Sequence, residues 1–170
     1  MYSLFQTTME KHFMKGLLLL SLLSTSALAN IVPQYKDILV AERVDSTHLL
    51  TYNLYHEARS ESDLANIMIL NTVFNRVEDK HYPSTVEGVI LQKWQYSWVN
   101  DKQSDLIKDE KRYKELYKLV EYYLTNKEVL GKLSPMVDHY HTKSVSPKWS
   151  KSVRMKELFT IDQHIFYERK

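Results

Sequence analysis

The segment following Ser62 constrains this chain more than any other. Ile67, Leu70, Phe74 and Val77 recur there at helical spacing, and Ala65, Met68, Ile69 and Val73 fill much of the remaining circumference. A helix that is apolar nearly all round must be buried, so the rest of the chain has to wrap it. A length of 170 residues permits one domain with one core around such a helix, and hardly two. Ser62-Asp63 supplies an N-cap. Asn71 and Asn75 sit one turn apart on this helix and need hydrogen-bond partners if buried, either as core braces or as the lining of a cleft.

A second helix is predicted immediately upstream, capped by Asp45 or Ser46 and joined to the first at Ser60–Ser62. Leu50, Leu54 and Glu57 fall at i, i+4 and i+7, which places a carboxyl group on the face turned toward the core or a cleft floor. Loss of water and the negative end of the helix dipole both favour the neutral form of an acid in that position. A carboxyl held protonated near neutral pH is what a general acid requires. Taken alone, however, a glutamate is more often a surface or ion-paired residue.

Tyr82-Pro83-Ser84-Thr85 breaks the helical pattern, and Val86, Val89 and Ile90 suggest a helical turn or two before Gln92. Trp94-Gln95-Tyr96-Ser97-Trp98 interleaves aromatic rings with amide and hydroxyl groups. Such a patch suits a sugar ring, with its apolar faces and polar rim, but composition alone favours a core corner. Residues 104–130 read as a helix capped by Ser104, with Asp105 in its first turn. Tyr113, Leu116, Val120, Tyr123 and Leu124 form its packing stripe, Lys111, Lys114, Glu115, Lys118 and Glu121 its solvated faces, and Gly131 its end. From Met136 the period changes. Val137–His141 alternates as a strand, Ile165–Glu168 suggests its partner, and Ser144–Trp149 between them is a loop. The fold class is therefore α+β, mainly α, with a short antiparallel sheet near the C-terminus.

The N-terminal region carries a different signal. Lys11, His12 and Lys15 precede Gly16-Leu-Leu-Leu-Leu-Ser-Leu-Leu, and Ala27-Leu28-Ala29 offers a small-residue cleavage site. Residues 1–29 thus have the anatomy of a secretory signal peptide, with an apolar stretch too short to span a bilayer comfortably. Residues 30–170 then form a single domain, with an extended or short helical lead-in at 30–44. The formal charge is +2, and residues 1–29 carry two Lys and one Glu, so the remainder carries +1. That is far from the basic excess of a dedicated nucleic-acid binder. Cysteine is absent, which removes disulfides and thiolate chemistry.

Three chemistries fit these residues. The first is glycan cleavage by Glu57. Glycosidases normally pair two carboxylates, and no second acid is convincingly placed, so a lone acid suits a lytic transglycosylase better. The second is a Zn²⁺ amidase or peptidase using His139, His141 and His164, since His139 and His141 share a strand face and His164 lies near the facing strand. Against it, the sequence contains no H-E-x-x-H helix. The third is a non-catalytic module whose aromatics grip glycan, which leaves Glu57 idle.

Tyr55-His56-Glu57-Ala58-Arg59-Ser60-Glu61, followed at matching spacing by Asn75-Arg76, resembles the opening motif of the SleB-type cell wall hydrolases. Tyr82-Pro-Ser-Thr-Val86 with Val89 and Gln92, Gln95-Tyr96-Ser97-Trp98, Tyr140-His141, Pro147-Lys148-Trp149 and His164-Ile165-Phe166-Tyr167 are similar to later blocks of that family, in the family's order. The departures are Ser60 in place of glycine, the larger Met68, Leu70 and Asn71 in the buried helix, and Asp162-Gln163 before His164. The resemblance implies a small lysozyme-like domain that cleaves peptidoglycan glycan strands after N-acetylmuramic acid in the lytic transglycosylase manner. It implies Glu57 as the catalytic residue, and Tyr55, Asn75, Gln95, Tyr96, Trp98, His141, Trp149 and Tyr167 as substrate-binding residues. No metal or cofactor is implied. The expected form is a monomer, exported to the periplasm, the cell wall or the medium, with no stable membrane insertion once the signal is removed.

N-terminal sequencing of exported protein is expected to begin at or near Asn30. Full-length chain recovered from the membrane would identify residues 1–29 as an uncleaved anchor instead.

Overall fold

The computed structural model describes residues 46–100 and 106–170. The expected signal peptide, the lead-in at 30–44, and the Asp45, Ser104 and Asp105 caps lie outside the described residues. Helix α1 (Ser46–Ala58) and helix α2 (Asp63–Glu78) meet at the predicted junction. Ser62 caps α2 by accepting a hydrogen bond from the Ala65 amide at 3.3 Å. The Ser46 hydroxyl, at the first residue of α1, donates to Glu87 at 2.6 Å. Ser60 has no positive φ, so the junction manages without glycine's freedom by a turn in which the Glu61 amide reaches the Ala58 carbonyl at 3.0 Å.

The α2 helix is the buried one. Ala65, Asn66, Met68 to Phe74, and Arg76 are all buried, and the other helices collect around it. Short α3 (Val86–Ile90) packs on both α1 and α2. Thr85 caps it by accepting from Gly88 at 3.0 Å, and a Cβ at Gly88 would stand 2.6 Å from that of Pro83, so the close turn there requires glycine. After α4 (Ser97–Asn100) comes α5 (Glu110–Thr125), whose Tyr113, Leu116, Val120 and Tyr123 are buried. Predicted as one helix over 104–130, this segment is shorter. Its N-cap is Asp109, which accepts from Arg112 at 2.9 Å, and Asn126 separates it from α6 (Lys127–Leu130). The physical reason lies on α1. The Tyr55 hydroxyl accepts from the amides of Lys108 and Asp109 at 3.2 and 2.9 Å, fixing residues before the helix in a non-helical path.

Three strands, β1 (His139–Thr142), β2 (Met155–Ile161) and β3 (His164–Arg169), form an antiparallel sheet in the order β1-β3-β2. The predicted pairing of β1 with β3 is present, with His139 opposite Tyr167 and Thr142 opposite His164. Strand β2 was not predicted. A bulge between Glu157 and Phe159 shifts the phase of its alternation midway, which erases the period-two signal. Asp162 sits in the left-handed region (φ 49°) in the β2–β3 turn.

Polar side chains of α2 hold this sheet. Asn71 donates to the Leu130 carbonyl at 3.0 Å and accepts from the Tyr123 hydroxyl at 2.7 Å. Asn75 donates to the Ser134 and Val137 carbonyls at 2.9 and 2.7 Å, and Arg76 Nε to that of Asp138 at 2.7 Å. At the other end of the helix the hairpin is clasped reciprocally. Asp162 accepts from the Ser62 amide at 2.7 Å, and Glu61 accepts from the Gln163 amide at 3.0 Å. Asn75→Ala orphans two carbonyls at the approach to β1 and is expected to cost about 1–3 kcal/mol. Urea denaturation should show a lowered midpoint with an unchanged m-value.

Candidate active site

Glu57 is the penultimate residue of α1, on the face it shares with the fully buried Leu50 and Leu54. The i, i+4, i+7 arithmetic thus carries its carboxyl inward, where Tyr140 of β1 donates to it at 3.3 Å. Arg76, 2% exposed, reaches the same region from the end of α2. Its guanidinium donates to the Tyr96 hydroxyl at 3.5 Å and, with the Gln95 amide oxygen turned toward it, to Gln95 at 2.7 and 3.1 Å. Helix end, strand and the segment before α4 therefore converge on one acid.

Burial is the largest influence on that acid and raises its pKa from 4.5 to about 7, even though the Tyr140 hydrogen bond and the positive charge of Arg76 both act to lower it. At neutral pH the group is divided between its two forms, as a residue that must both give and take a proton requires. Burial and the neighbouring Glu57 charge push the Tyr140 hydroxyl well above its ordinary range, so it stays a donor.

The other predicted residues separate into two groups. Gln95 and Tyr96 join Arg76 beside Glu57. Tyr55, Asn75 and Trp98 are engaged in structural contacts instead. The Tyr55 hydroxyl is taken up by the 108–109 backbone, and Asn75 is the brace described above. Trp98, 4% exposed, donates to Asn53 at 3.0 Å and stacks on His56 at 5.4 Å. The resemblance implied all three as substrate-binding residues; here their polar tips are turned to partners within the protein.

His141, Trp149 and Tyr167 do come together, but on the other side of the sheet. Cross-strand partners share a face and neighbours along a strand alternate. His139, His141 and Tyr167 therefore lie opposite Tyr140, His164 and Phe166. His141 stacks on Tyr167 at 5.3 Å, its Nε2 stands 3.0 Å from the Tyr167 hydroxyl, and Trp149 packs within 5.5 Å of both rings. The same alternation overturns the three-histidine metal site. His164, 2% exposed, faces Glu61 at 3.8 Å, away from His139 and His141. Among the described residues no group of three His, Cys, Asp or Glu is placed to hold one ion.

The sequence model of a family described as Cell Wall Hydrolase matches residues 60–167. The chain belongs to this family. Two solved structures share its fold. The catalytic domain of the Bacillus cereus SleB protein is 23% identical, with a TM-score of 0.51 over 71% of this chain and 88% of that one. The catalytic domain of a germination-specific lytic transglycosylase, SleB from Bacillus anthracis, is 22% identical, with a TM-score of 0.53 over 75% and 97%. No curated protein matches the sequence. The family match begins three residues after Glu57 and takes in Arg76, Gln95, Tyr96 and Tyr140.

Two members of the hydrolase's acid cluster, Arg76 and Tyr140, were quoted only as motif neighbours in the sequence. The available signals were an arginine closing an otherwise apolar helix and a tyrosine between two strand histidines. Neither says that both reach one carboxyl.

Between pH 4.5 and about 7 the folded hydrolase keeps a proton on Glu57 that the unfolded chain has released, so stability falls as pH rises through that window. Glutamine mimics the neutral acid. Glu57→Gln is therefore expected to melt close to the parent near pH 4.5 and above it near pH 8, by up to roughly 3 kcal/mol in calorimetry.

Proposed function

We propose that this cell wall hydrolase cuts the glycan strand of peptidoglycan after N-acetylmuramic acid as a lytic transglycosylase, with Glu57 as both acid and base. The observation that carries the proposal is the part-buried Glu57 carboxyl, hydrogen-bonded to Tyr140 and within the field of Arg76, with a pKa that desolvation raises to about 7. In the protonated form Glu57 gives its proton to the glycosidic oxygen as the bond from C1 breaks. The resulting carboxylate is stabilised by the Tyr140 hydroxyl and the Arg76 charge, then takes the proton of the muramyl 6-hydroxyl as that oxygen bonds to C1. An anhydro ring forms and the acid is regenerated, with no water consumed.

Other carboxylates support this division of labour by being otherwise engaged. Glu61 accepts from Gln163, Asp138 accepts from Arg169 at 3.0 Å, and Glu157 accepts from Tyr167 at 3.4 Å on the far face of the sheet. A hydrolase with two carboxylates would need a partner free to activate water. The Bacillus anthracis neighbour, a lytic transglycosylase by its name, agrees with the same reading. We place Gln95 and Tyr96 at the substrate's side of the Glu57 cluster. The site of action lies beyond the plasma membrane, which fits the exported form expected from residues 1–29. Among the described residues no helix is long and apolar enough to cross a membrane.

Mass spectrometry of fragments released from purified sacculi is expected to show anhydro ends, with release unaffected by chelator. Reducing ends would make the enzyme a hydrolase of the same bond. Glu57→Gln should lower the rate by at least about 10²–10⁴-fold, while Glu157→Gln on the opposite sheet face stays near the parent. Activity should decline on the alkaline side as Glu57 ionises near pH 7, and Tyr140→Phe should move that limb upward because a hydrogen bond to the carboxylate is lost. Full activity in Glu57→Gln would remove the mechanism.

A further inference from the structure

Trp94 has an environment unlike that of the other two tryptophans. Trp98 is buried, and Trp149 packs against His139, His141 and Tyr167, but Trp94 is 78% exposed. Its backbone is in the left-handed region at φ 67°, which a bulky side chain rarely adopts. The turn that imposes this conformation is closed by the Gln95 amide on the Gln92 carbonyl at 3.0 Å. Glycine or asparagine would relieve the strain, and a polar residue would avoid exposing the ring. Neither the fold's core nor the local backbone gains from tryptophan here. Strain that the surroundings hold in place is found at ligand-binding and catalytic positions.

The position is also specific. Gln95 and Tyr96, the next two residues, are the pair that contacts Arg76 beside Glu57. The same turn therefore seats two residues in the acid cluster and turns their neighbour out to solvent. The Lys93 ammonium lies over the Trp94 ring, 5.1 Å from its centroid. With the residue so exposed, the opposite ring face is open to a ligand.

We infer that Trp94 and Lys93 form a subsite for the peptidoglycan strand, resting on the glycan-cleaving activity proposed above. The indole stacks on the apolar C–H face of a sugar ring, and the ammonium meets a carboxylate of the stem peptide. The pair extends the grip on the strand beyond the bond being cut. It acts by binding and takes no part in proton transfer.

The test uses the full chain in the Glu57→Gln background, which holds substrate without turning it over. Cosedimentation with purified sacculi measures binding. Adding Trp94→Ala is expected to weaken binding by roughly five- to tenfold, Trp94→Phe to restore most of it, and Lys93→Ala to weaken it only for strands that retain their stem peptides. In the active chain Trp94→Ala should raise KM for sacculi with kcat much less changed. Trp94→Gly should melt no lower than the parent, showing that loss of binding is not loss of the turn. Unaltered sacculus binding and KM in Trp94→Ala, with Glu57→Gln still binding, would overturn the subsite and leave the proposed function standing. The same result with loss of self-association in sedimentation would reassign the ring to a protein contact. If the parent releases no glycan fragments and Glu57→Gln does not bind sacculi, the proposed function fails, and the subsite with it.

Discussion

The grip of α2 side chains on backbone carbonyls holds this structure together. Asn71, Asn75 and Arg76 are polar groups on a helix otherwise surrounded by apolar side chains, and each donates to a carbonyl in the segment leading from α6 to β1. An irregular segment has carbonyls that no ladder satisfies, and a buried helix has no solvent to receive its polar side chains. Each solves the other's problem. Without that exchange β1 would be held to the helices only through β3 and its clasp at Ser62 and Glu61, and Tyr140 would be less firmly set against Glu57.

The acid cluster follows from the same arrangement. Arg76 is nearly inaccessible, and its described hydrogen bonds go to a carbonyl, a hydroxyl and an amide, all neutral. A buried cation with neutral ligands leaves its charge felt by whatever ionises nearby, and Glu57 is that group. Desolvation dominates, so the acid keeps its proton near neutrality. The cation limits the cost once the proton has gone. Placing both influences on one carboxyl lets a single residue serve two opposite steps.

The helices, the junction at 60–62 and the inward face of Glu57 were legible because they depend on spacing within one segment. The β1–β3 pairing was legible for the same reason, through alternation in each strand. What failed depended on contacts between segments. The start of α5 is set by a tyrosine hydroxyl more than fifty residues upstream, and β2 is concealed by a bulge at Leu158 that only its partner strand reveals. Tyr55 and Trp98 occupy motif positions, yet their rings are committed to the protein itself. The histidine triad fails on parity: one pairing register puts His164 on the opposite side from the other two.

Because the sheet is fastened at both ends of α2, by Asp162 and Glu61 at its start and by Asn75 and Arg76 near its finish, the helix works as a ruler. The rise from Ser62 to Arg76 sets a separation of about 21 Å. Removing or adding one residue would shorten or lengthen that ruler by only about 1.5 Å, but would turn one set of fasteners by about 100° relative to the other. Length is thus a stricter requirement here than composition. Related chains can exchange one apolar side chain for another along α2, while insertions and deletions should collect outside it.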